Sequence, residues 1–143
     1  MVDDVILNKT AALERCIDRA KEEYRLAGAD LSTNLSHQDA LILNVLRACE
    51  TAIDLAMHIS RSERLGVPQS SRDSFALLET AGILPKDLSE NLQRMVGFRN
   101  IVIHEYQKLD IEVLHHIVEK RLRDFQRYGA ILIKRGTETN SDR

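Results

Sequence analysis

Apolar residues recur every three or four positions along nearly the whole chain, the spacing that an α-helix gathers onto one face. Val5, Leu13, Cys16, Ile17, Ala20, Tyr24 and Ala27, interrupted only by Lys9, predict a helix over 4–27 that stops at Gly28. Ser36 and Asp39 have the spacing of a capping box and predict a second helix over 36–64. Its inner stripe is Leu41, Val45, Ala48, Cys49, Ala52, Ile53, Ala56, Met57 and Ser60. A polar loop over 66–71 leads to a short helix over 73–81, closed by Gly82. Pro85 opens a fourth helix at about 86, with Leu88, Leu92, Met95, Val96, Arg99, Val102 and Ile103 on one side. Asp110 caps a fifth, with Ile111, Leu114, Ile117, Val118, Leu122, Phe125, Tyr128 and Leu132 as its stripe. With only two prolines and six glycines to break these patterns, no strand competes with them. The expected fold is all-α: an antiparallel bundle of four long helices and one short helix over 1–135, followed by a polar, fraying tail over 136–143.

Composition narrows the class. A chain of 143 residues suits one domain, and with 4% aromatics and no tryptophan its core must be built from Leu, Ile, Val and Ala. A net charge of −2 argues against an obligate polycationic nucleic-acid binder and leaves room for a local basic cleft. No apolar run approaches the ~20 residues of a membrane span. The start, Met-Val-Asp-Asp-Val-Ile-Leu-Asn-Lys, lacks the basic and apolar regions of a signal peptide, so a cytoplasmic location is expected. Cys16 and Cys49 read as small buried hydrophobes, with no disulfide and no zinc-like spacing.

Chemistry concentrates at the end of the fourth helix, in Arg99-Asn100-Ile101-Val102-Ile103-His104-Glu105-Tyr106. Arginine can hold a phosphate through its planar fork, and histidine moves protons near neutral pH. On an ideal helix Leu88, Leu92, Met95, Arg99, Val102 and Tyr106 lie within about 40° of one line, which sets Arg99 in the apolar stripe. A charge there must be paired or line a crevice. His104 lies about 140° from Arg99 on the same wheel, so one straight helix does not aim both at one phosphate. Either the helix ends or bends near His104, or two protomers share a site. Gly97 permits the close approach of another segment. A helix-terminal histidine and a paired arginine explain part of the pattern structurally. The four residue types at this spacing are expected by chance roughly once in a few thousand such chains.

This segment matches the Arg-Asn-x-x-x-His-x-Tyr signature of HEPN-domain proteins. The chain resembles in particular the toxins of HepT–MntA toxin–antitoxin systems, through the order of its helices, the stretches 52–59, 66–68 and 74–84, and the block 95–110. The resemblance implies a metal-independent, cofactor-free RNase acting as a homodimer, with the signature lining the cleft between protomers. It also implies an MntA-like nucleotidyltransferase antitoxin that silences the toxin by transferring AMP to a tyrosine, here Tyr106. Arg99 and His104 would then be catalytic and Asn100 would position the histidine or the phosphate of an RNA substrate, tRNA or mRNA. The alternative is a non-catalytic helical module that binds a nucleotide or a partner beside a nucleotidyltransferase.

Other polar residues carry weaker expectations. His58 reads as packed or at the solvent edge, and at most one of His115 and His116 can face a site. Asp54 is a candidate to orient a histidine or to pair with Arg99. Lys120, Arg121, Arg123, Arg127, Lys134 and Arg135 read as a solvated face with intrahelical pairs, and Arg61, Arg64 and Arg72 could line a cleft mouth.

Overall fold

A computed structural model of the chain describes residues 3–141, with side chains to 136. Among the described residues there is no strand. Helix α1 (Asp4–Ala27) is capped by Asp3, whose carboxylate accepts from the Val5 amide at 2.8 Å. It ends at Gly28 (φ 56°), as Gly82 (φ 77°) follows α3; both take the left-handed backbone that side chains resist. Helix α2 (Leu35–Ser62) starts earlier than the Ser36/Asp39 box suggests, because the Asn34 side chain accepts from the His37 amide at 3.3 Å and does the capping. It stops short of the expected residue 64, where Arg64 itself has φ 55°.

Helix α3 (Ser71–Thr80) likewise starts two residues before the expected 73. Ser70 Oγ accepts from the Asp73 amide at 3.1 Å, and the Asp73 carboxylate accepts from the Gln69 amide at 2.9 Å. Helix α4 (Lys86–His104) follows Pro85 as expected. The expected fifth helix is divided: α5 (Ile111–His116), a π-helical turn (Ile117–Arg121) and α6 (Leu122–Ser141). A π turn inserts an extra residue, which lets Ile117 and Leu122, five positions apart, both be buried. Beyond Gly136 the side chains of the expected tail lie outside the described residues, as do residues 142 and 143.

The helices form one bundle. α2 runs through the middle, packed on α1, α3 and α4, while α6 closes the far side against α1 and α4. Leu13 and Ile17 of α1, Leu41 and Leu55 of α2, Phe75 of α3, Leu92 of α4 and Phe125 of α6 are all buried, so each helix sends its stripe inward. Tyr128 is the one fully buried tyrosine. Its hydroxyl donates to the Ala52 carbonyl at 2.9 Å and its ring meets Phe75 edge-on, centroids 5.8 Å apart. No helix is long and apolar enough to cross a membrane, among the described residues.

Candidate active site at the end of α4

Arg99 leaves α4 toward α2 and α3. Its Nη2 donates to Ser71 Oγ at 2.6 Å, at the start of α3, and its Nη1 stands 3.5 Å from Glu50 Oε1, in the middle of α2. The side chain is 19% exposed, and its Nε is buried without a partner. The need for a partner, read from its place in the apolar stripe, is thus met by Glu50 and Ser71, neither of which the sequence pattern singles out. The guanidinium is fixed at two corners while its remaining terminal N–H groups are uncommitted among the described residues. Nearby Cys49 is no rival centre: burial pushes its thiol far up, and Sγ donates to the Met95 carbonyl at 3.7 Å.

The helix ends at His104, and Glu105 (φ −143°, ψ 48°) turns the chain away. The helix does end at the histidine, but His104 is its last helical residue, so its offset of about 140° from Arg99 on the wheel persists. His104 is exposed, Asn100 half-buried, and neither makes a side-chain hydrogen bond or ion pair among the described residues. Tyr106 opens a short 3-10 turn (Tyr106–Lys108) and is 43% exposed. Its hydroxyl donates to Asp39 Oδ1 at 2.6 Å. Partial burial and the Asp39 carboxylate push the Tyr106 hydroxyl up to about 12.

Asp39, expected as a capping residue, instead ties the signature's tyrosine to α2. Arg99 and Tyr106 thus anchor on the same helix at Glu50 and Asp39, eleven residues apart, roughly 16 Å of helical rise. At Gly97 what comes close is a side chain and not another backbone segment: a Cβ there would stand 3.2 Å from Arg72 Nη2, and Arg72 Nε donates to the Gln93 carbonyl at 3.2 Å.

A model of the ribonuclease HepT-like family matches residues 13–130, which include all four signature residues. The chain belongs to this family. It is 44% identical to the mRNA nuclease HepT of Shewanella oneidensis over 127 residues, covering 89% of this chain and 95% of that protein. It is similar to a structure of the tri-AMPylated Shewanella oneidensis HEPN toxin in complex with MNT antitoxin, with a TM-score of 0.88 at 42% identity, covering 92% of this chain and 98% of that one. A crystal structure of a toxin–antitoxin with AMP-PNP matches equally, with a TM-score of 0.88 at 42% identity over 92% of this chain and 99% of that chain.

Several of the remaining polar residues of this HepT-like chain have structural partners. Asp54 pairs with Lys9 at 3.2 Å rather than with Arg99, which also accounts for the one polar residue in the α1 stripe. His58 Nε2 lies 2.6 Å from Asp3 Oδ2 and ties α2 to the cap of α1. His115 Nδ1 lies 2.7 Å from the Tyr24 hydroxyl. His116 is exposed in a cleft of about 460 Å³ between α4 and α5, with Phe98, Ile101, Leu109 and Val113. Of the basic face, Arg121 pairs within its helix with Asp124 at 3.0 Å, whereas Arg127 reaches Asp87 of α4 at 2.9 Å and Arg135 reaches Glu63. Those last two join separate elements, beside the intrahelical pairs that were expected. Arg61 and Arg64 line a separate cleft of about 480 Å³ beside Met57 and Val67.

Proposed function

We propose that this chain is the toxin of a toxin–antitoxin pair, a cytoplasmic endoribonuclease that needs no metal ion and is silenced by a nucleotidyltransferase antitoxin. The observation that carries the reading is an arginine fork clamped by Ser71 and Glu50 on the helix whose last residue is an exposed histidine. The kinship with an mRNA nuclease supports RNA as substrate, mRNA first and tRNA beside it.

The RNA's own 2′-hydroxyl attacks the adjacent phosphorus. The O2′–P bond forms, the P–O5′ bond breaks, and a 2′,3′-cyclic phosphate is left. His104 takes the 2′-hydroxyl proton or delivers one to the departing 5′ oxygen, and the same residue of a second copy fills the complementary role. Arg99 neutralises the charge that grows on the phosphoryl oxygens, and Asn100 holds the phosphate or the imidazole. The offset of about 140° between Arg99 and His104 on α4 supports a site completed across a homodimer cleft. AMP carried on Tyr106 would put a bulky anion at the edge of that cleft and exclude RNA by bulk and charge.

Antitoxin-free protein is expected to cut RNA in EDTA and to leave cyclic phosphate ends. His104→Ala should lower the rate by about 10²–10⁴ with an unchanged melting temperature. Protein of unmodified mass that cuts no RNA would favour the binding-module reading instead.

A further inference from the structure

The geometry points to Asp39 as the proton acceptor when AMP is transferred to Tyr106, so that the toxin contributes a catalytic group to its own silencing. This rests on Tyr106 being the acceptor tyrosine. Among the described residues Tyr106 is the one side chain that engages Asp39. The cap of α2 is made by Asn34, Asp39 lies past the first turn where the helix dipole acts, and it pairs with no cation among the described residues. Its side-chain bond is the one from the Tyr106 hydroxyl, 2.6 Å away and 67 residues distant in sequence. The carboxylate is exposed, with exposed Leu35 and Leu43 one turn to either side, so a nucleotide-loaded partner can reach the oxygen it holds.

The chemistry requires such a group. With the hydroxyl pushed up to about 12, only about one tyrosine in 10⁵ is ionised at pH 7. The phenol must therefore lose its proton as it attacks, as an aspartate in protein kinases accepts the proton of a substrate hydroxyl. A lone pair of Tyr106 Oη attacks the α-phosphorus of a nucleoside triphosphate. The Oη–Pα bond forms, the bond from Pα to the bridging oxygen breaks, pyrophosphate leaves, and the Oη proton passes to Asp39 Oδ1 and on to solvent. The product cannot stay in place. Oη has no hydrogen left to donate, and its new phosphodiester charge faces the carboxylate, so the modified ring must leave α2.

The test is single-turnover AMP transfer to the full chain by its nucleotidyltransferase antitoxin, with ATP and Mg²⁺, followed by intact-mass spectrometry. Asparagine keeps an acceptor oxygen but no basicity. Asp39→Asn and Asp39→Ala should both slow transfer by about 10²–10⁴ at saturating ATP, with an unchanged half-saturating ATP concentration, and Asp39→Glu should recover part of the rate. Melting temperatures confirm that the variants are folded. Transfer to Asp39→Asn at the unmutated rate overturns the proposal, as does a change confined to half-saturation, because the carboxylate then only positions the ring. Tyr106→Phe separates the two readings. If it is labelled like the unmutated chain, the acceptor assignment itself fails, whatever Asp39 does.

Discussion

Tyr128 and Tyr106 each donate one hydrogen bond across the bundle to α2, and they stand at opposite ends of the range of burial. Tyr128 is 0% exposed, gives its proton to the Ala52 carbonyl, and is surrounded by Phe75 and the apolar stripes. Tyr106 is 43% exposed and donates to a carboxylate that no other side chain engages among the described residues. In the first region the hydroxyl is bonded because a buried polar group must be satisfied. In the second, polar atoms face solvent with bonds that add little to stability, while Arg99 is held from two sides. A residue whose bond stabilises the fold and one whose bond prepares a reaction are thus told apart by what their loss should do.

Core packing should show the largest separation. Phe125, 1% exposed on α6, fills the space between α6 and the rest of the bundle. Phe125→Ala should cost about 3–5 kcal/mol in urea unfolding and lower RNA cleavage only in proportion to the folded fraction. Arg99→Lys should reverse that pattern. A lysine keeps the charge but cannot span Ser71 and Glu50 with one planar fork. Cleavage should fall by about 10²–10³, while the unfolding midpoint moves little because Glu50 is 44% exposed. A large stability loss in Arg99→Lys would place Arg99 with the core rather than with the site.

The two regions also differ in how far the sequence reveals them. The stripes of α1, α2, α4 and α6 are local, written at three-to-four spacing, and the bundle follows from them. The π turn left no trace in the stripe, because Val118 stands four residues before Leu122 and a straight-helix reading passes through it without a break. The signature residues are contiguous and were therefore visible. Their partners were not, because Glu50, Ser71 and Asp39 lie 49, 28 and 67 residues away from the groups they hold. Asp39 was masked further by sitting three residues after a serine, where the local rule for helix starts offers a sufficient account; the nearer cap, Asn34, took that role. Asp54 drew attention as a partner for Arg99 because it is acidic and on the right helix, yet Lys9 holds it. Tertiary pairing of charges is what one chain without its fold cannot disclose.

The smallest effects compare the two tyrosines directly. Tyr128→Phe removes a donor from a dry site. The Ala52 carbonyl lies in the interior of α2, where the helical backbone ladder also uses it, so no acceptor is orphaned and the loss should be about 1 kcal/mol, read as a lower unfolding midpoint with the denaturant slope unchanged. Tyr106→Phe removes a shorter bond, 2.6 Å against 2.9 Å, from a wet site where water replaces both partners. Its cost should stay within about 0.5 kcal/mol, inside the error of most unfolding curves, yet AMP transfer should disappear. If Tyr106→Phe proved as destabilising as Tyr128→Phe, the Asp39 bond would be part of what holds the end of α4 to α2, and the contrast between a structural and a reactive tyrosine would fail at the point where it is sharpest.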